Sequence, residues 1–175
     1  MTVTRPELLM DGTDTAFRQL IHDMLAFTAR MQENRARVAG HIGLTAQQYA
    51  ILTTIAHFDD QDGFGIVHVA DHLRLSGAFV TIEVNKLVGA GLVRKKSNPT
   101  DRRRVLLTIT SKAREQLDQL SRIQGPSNDT IFGSLSATDF QTLRTIIPQM
   151  VEATDQSLRL IDFLAGDHAP ISGLG

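Results

Sequence analysis

The chain has 175 residues, 42% of them hydrophobic and 21% charged, with a formal net charge of -1. Such a composition excludes wholesale disorder and suits one good core with a smaller helical addition. The absence of cysteine excludes disulfides, thiolate metal sites, cysteine nucleophiles and thiol redox sensing.

The opening MTVTRPELLMDGTD lacks the basic and apolar regions of a secretory signal, and no stretch approaches the roughly 18 uninterrupted apolar residues of a membrane span. A cytoplasmic protein with no membrane partner is therefore expected. From Thr13 to about Ala39, apolar residues recur every three or four positions, among them Phe17, Leu20, Ile21, Met24, Leu25, Met31 and Val38. This spacing predicts a long amphipathic helix. Gly40 and Gly43 follow it. Thr45 with Gln48 forms a capping-box pattern that starts a second helix running to about His57, with Tyr49, Leu52, Ile55 and Ala56 inward and Leu44 stapled onto Tyr49.

The run DDQDGFG, Asp59 to Gly65, is a polar loop. A calcium loop would need an acidic first ligand and a terminal glutamate, where Phe58 and Val69 stand instead. Two short helices are predicted over Ile66–Leu73 and Ser76–Ala90, separated by a turn at Arg74-Leu75. Ser76 is the N-cap of the second, Val80, Val84 and Leu87 are its buried row, and Gly91 is its stop. Two β-rich segments follow, Leu92–Lys96 and Arg104–Ile109, around Ser97-Asn98-Pro99-Thr100-Asp101, a hairpin tip by composition. A helix from Ser111 to about Ile123 should break at Gly125-Pro126. Ser136 and Asp139 open a last helix, which Pro148 should kink or end halfway, and the tail from Gly166 should fray.

Charge is distributed unevenly along this series. Arg94, Lys95, Lys96, Arg102, Arg103 and Arg104 stand against Asp101 alone, a local charge of +5, while all other residues together carry -6. A basic island on an acidic body points to a local polyanion contact. The order helix, helix, turn, helix, hairpin is that of a winged helix-turn-helix. In that fold a short helix enters the major groove while the adjacent hairpin reaches phosphates or the minor groove. Asp101 beside Arg103 can orient the guanidinium of an arginine aimed at a narrow minor groove.

The ordered series Leu44-Thr-x-x-Gln48-x-x-x-Leu52, Val69-Ala70-x-x-Leu73-x-Leu75-Ser76, Lys86-Leu87-x-x-x-Gly91-Leu92-Val93 and Asp101-Arg102-Arg103 followed by Leu107-Thr108-Ile109-Thr110 resembles the MarR family of bacterial transcriptional regulators. The likeness runs from about Asp14 to Leu164. It implies a mostly α-helical fold with a small β-hairpin wing, and a homodimer built by interlocking N- and C-terminal helices that reads a palindromic double-stranded DNA site. On that basis residues 1–43 form an N-terminal dimerisation helix, 44–110 the winged DNA-binding domain, and 111–175 the C-terminal dimerisation helices with a frayed tail.

The same resemblance turns Ser76, Gly77, Ala78, Thr81, Ile82 and Asn85 toward DNA and puts Lys86 near a phosphate. Asp101 and Arg103 take the wing tip, with Lys95, Lys96, Arg102 and Arg104 as backbone contacts. Ile82 departs from the polar or basic residue of many relatives, and Glu83 adds a negative charge nearby, so base reading is expected to rest on Thr81, Asn85 and apolar contact with thymine methyls. A repressor released by a small-molecule effector, commonly an aromatic acid, is the implied activity.

Other readings are weaker. The long terminal helices could form a monomeric bundle. His68 and His72, four apart on one helix, have a spacing that can share a metal, with His22, His41 or His57 as further ligands, yet no local feature supports a site and no cofactor is expected. HVADH is not a zinc-protease motif, and neither a phosphate loop nor a nucleophile elbow is present, so the protein is not expected to be an enzyme. A helical protein-interaction module without a specific DNA site is the competing function.

Overall fold

A computed structural model of the chain describes residues 1–59, 64–97 and 105–167. It contains two compact units, Met1–Gly125 and Pro126–Gly175. Among the described residues no helix is long and apolar enough to cross a membrane.

The first unit opens with a 3-10 turn, Pro6–Leu8, ahead of helix α1 (Thr15–Gly40). The Asp14 carboxylate accepts hydrogen bonds from the Thr2 amide and the Thr2 hydroxyl, which together hold it below its ordinary pKa. Along α1 only Val38 and Ala39 are buried, while Leu20, Leu25 and Phe27 stay exposed. Its apolar face thus exceeds what the rest of this unit covers.

Helix α2 (Ala46–His57) starts as expected: the Thr45 hydroxyl accepts from the Gln48 amide at 3.2 Å and the Gln48 Oε1 accepts from the Thr45 amide at 3.1 Å. Its residues Ile51, Leu52 and Ile55 are fully buried. Helix α3 (Ile66–Leu73) ends at Arg74, which adopts a left-handed conformation (φ 54°) and lets the Leu75 amide return to the Ala70 carbonyl at 2.9 Å. Helix α4 (Gly77–Gly89) then begins at Ser76 and packs Val80, Val84 and Leu87 into the core. Gly91 (φ 71°) closes it, with the Leu92 amide donating to the Leu87 carbonyl.

Strands β1 (Val93–Ser97) and β2 (Val105–Ile109) pair antiparallel, Val93 opposite Ile109 and Lys95 opposite Leu107. The backbone at Phe64-Gly65 joins the free edge of β2: the Leu107 amide donates to the Phe64 carbonyl, and Gly65 bridges Leu106. The core gathers α2, α3, α4, both strands and Ala113 around Ile51, Leu52, Val69, Val84 and Leu107.

Helix α5 (Ser111–Phe132) does not break at Gly125-Pro126, contrary to the sequence expectation. A proline deprives the carbonyl four residues earlier of its donor. That residue is exposed Arg122, where water can satisfy the carbonyl, so the helix tolerates the loss. Helix α6 (Ala137–Asp167) likewise runs on past Pro148, so of the two outcomes expected there, a kink or an end, the end is not found. The carbonyl concerned belongs to exposed Arg144. Within α6, Phe140, Ile146, Ile147, Val151, Leu158 and Ile161 are exposed. Its N-terminal turn is fixed by Ser136 and Asp139: the Ser136 amide and hydroxyl donate to Asp139 Oδ2, and the Asp139 amide donates back to the Ser136 hydroxyl.

Candidate nucleic-acid interface

Ser76 caps α4 through its hydroxyl, which accepts from the Phe79 amide at 3.2 Å. With Val80, Glu83, Val84 and Leu87 buried, the helical repeat leaves Gly77, Ala78, Ile82, Asn85 and Lys86 on the solvent side, with Ser76 exposed at the cap. Thr81 lies half-buried at the margin, its hydroxyl turned back to the Gly77 carbonyl at 2.7 Å. Of the positions expected to face DNA, Thr81 is therefore the one whose donor is already committed to the backbone.

Glu83 departs from the sequence reading. Instead of adding a negative charge to the exposed face it is buried, 6% exposed, with Lys86 Nζ 2.7 Å from its Oε1 and Gln48 Nε2 2.9 Å from its Oε2. The hydrogen bond from Lys86 leads in lowering the Glu83 pKa, Gln48 adds to it, and burial opposes both. The carboxylate is thereby neutralised beneath the helix, and Lys86, expected near a phosphate, is anchored to it.

The basic wing lies against this helix. Arg94, Lys95 and Lys96 are all exposed on β1, and Lys95 Nζ donates to Asn85 Oδ1 at 2.6 Å, joining wing to helix. Register explains the reach: Lys95 lies opposite buried Leu107 and two residues from buried Val93, so the three share one face of the hairpin, and exposed Lys95 extends from it to Asn85 on α4. Asp101, Arg102, Arg103 and Arg104 lie outside the described residues.

One cation at this surface was missed in the sequence. Lys112, at the start of α5, lines the same open groove as Val88, Gly91, Arg94, Lys95 and Lys96, and its ammonium donates to the Ala90 carbonyl at 2.8 Å. The signal was Thr110, whose amide donates to Leu92 and whose hydroxyl donates to Gly91, drawing the start of α5 back to the end of α4.

The histidines take other roles. His68 Nδ1 accepts from the Gly65 amide at 3.1 Å and its ring stacks on Phe64, while the rings of His57 and His72 sit edge-on to Phe58. Among the described residues no group of three His, Asp or Glu side chains is placed to hold a metal.

A capped helix with an exposed outward face, preceded by a helix and turn and flanked by a basic hairpin, defines a winged helix-turn-helix protein. Residues 42–104 match the family model described as MarR family. No curated protein matches the chain. Among solved structures, a MarR protein from Peptoclostridium difficile is 19% identical, with a TM-score of 0.66 over 90% of this chain and 99% of that one. The transcriptional regulator BldR from Sulfolobus solfataricus is 20% identical, with a TM-score of 0.62 over 77% of this chain and 96% of that one. MepR from S. aureus in complex with DNA is 17% identical, with a TM-score of 0.59 over 86% and 99%. These likenesses show a shared fold. Its winged segment, residues 42–104, is similar to the MarR family.

Proposed function

We propose that the protein is a homodimeric, sequence-specific DNA-binding transcriptional regulator that represses its targets until a small-molecule effector releases it. The observation that carries this reading is the juncture of α4 with the wing: an exposed helix face bearing Asn85, bonded directly to a cation of the basic strand. A helix in the major groove and a hairpin on the backbone need that fixed relation. The structural likeness to DNA-bound MepR supports the same use. Residues 1–43 and 111–175 are assigned to dimerisation, in keeping with the exposed apolar rows of α1 and α6.

Release follows as a population shift, in which the effector favours a spacing of the two recognition helices that misfits a palindromic operator. A cavity of 210 Å³ lined by Gln32, Arg35, Gln47, Ala50, Leu73 and Leu75 lies where α1 and α2 meet the turn before α4, and Arg35 there offers a cation to an aromatic carboxylate. Calorimetric titration with a panel of aromatic acids tests this part, and an absence of heat across the panel counts against it.

DNA binding itself is tested by fluorescence anisotropy against duplexes from the region upstream of the protein's own gene and a scrambled control, at two salt concentrations. Tight binding to the upstream duplex alone, weakening with salt at a log-log slope of roughly -0.9 per neutralised phosphate, is the expected result. No binding to either duplex by a dimeric sample would favour the protein-interaction reading. Arg103→Ala at the proposed wing tip should weaken binding by about 1–3 kcal/mol without dissociating the dimer; an unchanged affinity removes Arg103 from the interface.

A further inference from the structure

The Asn85 carboxamide carries both a donor and an acceptor, so a free asparagine at that point on α4 could read adenine with two bonds. It is not free: Lys95 Nζ lies 2.6 Å from its Oδ1. An ammonium can only donate, so the atom facing it must be the carbonyl oxygen, and the usual ambiguity of amide orientation does not arise. Both residues are exposed, and Lys95 is held in place by its strand register opposite buried Leu107.

Building on the proposed DNA-binding role, we infer that Lys95 orients Asn85 with its amino group toward the groove, so that it prefers a guanine or thymine edge over adenine. With the oxygen turned to the wing, the amino group is what remains for the groove. Guanine N7 and O6, or thymine O4, accept from it. Adenine needs the oxygen to accept from its N6 amino group while N7 accepts from the amide. That oxygen keeps one lone pair, but an adenine N6–H using it would sit beside an ammonium already drawing on the same atom, so the second adenine bond is weakened while bonds to purely accepting edges are not. Ile82, three residues earlier on the same exposed face and 55% exposed, offers apolar surface to a thymine methyl at a neighbouring step. Lys95 still has two N–H donors for a phosphate, so positioning Asn85 does not withdraw it from the backbone.

The test is selection from a pool of randomised duplexes with the full-length wild type, Asn85→Ala and Lys95→Met, with thermal melts to verify folding. The wild-type site should contain, in each half, a guanine or thymine whose preference disappears in Asn85→Ala. At that position Lys95→Met should raise the affinity for adenine relative to the selected base by about tenfold, a change that loss of a phosphate contact alone would not produce. An adenine at the Asn85-dependent position of the wild-type site, or an unaltered base preference in Lys95→Met, overturns the assignment while leaving DNA binding standing. Failure of the wild type to enrich any sequence, even at low salt, overturns the DNA-binding reading itself and this inference with it.

Discussion

Glu83 shows how one buried side chain can organise an exposed surface. Its carboxylate carries Lys86 on one oxygen and Gln48 on the other, and those bonds keep it below the ordinary value of 4.5. A carboxyl depressed on folding adds stability that is complete above its unfolded pKa and is lost as the pH falls through the lower folded value. Glu83→Gln should therefore cost about 1 kcal/mol at pH 7, allowing for the solvent screening of Lys86, and the difference should shrink in acid well below the glutamate range. Thermal melts of both proteins at the two pH values check this; a constant difference would show that the charge is immaterial. This arrangement was not legible in the sequence. Glu83 and Gln48 are 35 residues apart, and the helical repeat cannot say what a glutamate at the edge of the buried row will meet. Ser76 was legible, because a cap is a contact over three residues.

At the scale of elements, local signals found α1 to α4 and both strands to within a residue or two. They failed where a helix-breaking residue sat in an exposed helix, at Pro126, because the penalty for proline depends on whether the orphaned carbonyl is solvated. They also missed the third strand-like segment. Gly65 contributes no sequence periodicity, yet its backbone bridges β2, and a Cβ added there would stand 2.5 Å from the Val105 carbonyl oxygen. Gly65→Ala should push this segment off the wing and destabilise the first unit by about 1–3 kcal/mol, read as a lower denaturation midpoint. An unchanged midpoint would mean that the wing accommodates the methyl group freely. The link between Lys95 and Asn85 was hidden for a related reason: both residues were singled out as DNA contacts, one on the wing and one on the helix, but only the strand register reveals that they touch.

At the scale of the whole molecule, α1 and α6 both expose rows of large apolar side chains among the described residues. Ile147 is 45% exposed and Leu143 38% exposed, more than a lone soluble helix gains by leaving open. In the proposed homodimer these positions are covered, so Leu143→Glu combined with Ile147→Glu should shift the sedimentation coefficient from dimer to monomer and abolish tight operator binding. A double variant that sediments as a dimer would place the interface elsewhere. The periodicity that announced these helices was visible in the sequence, whereas the course of α6 past Pro148 was left open there.

Gln48 restricts what its own position can become. Its amide oxygen caps α2 by accepting from Thr45, and its amide nitrogen donates to Glu83 beneath α4. Glutamate serves equally well in a capping box and would preserve the first bond. At the second it would set one carboxylate against another. The tolerated alphabet at position 48 is thus narrower than its helix start requires, and the extra restriction originates in the helix that carries Asn85.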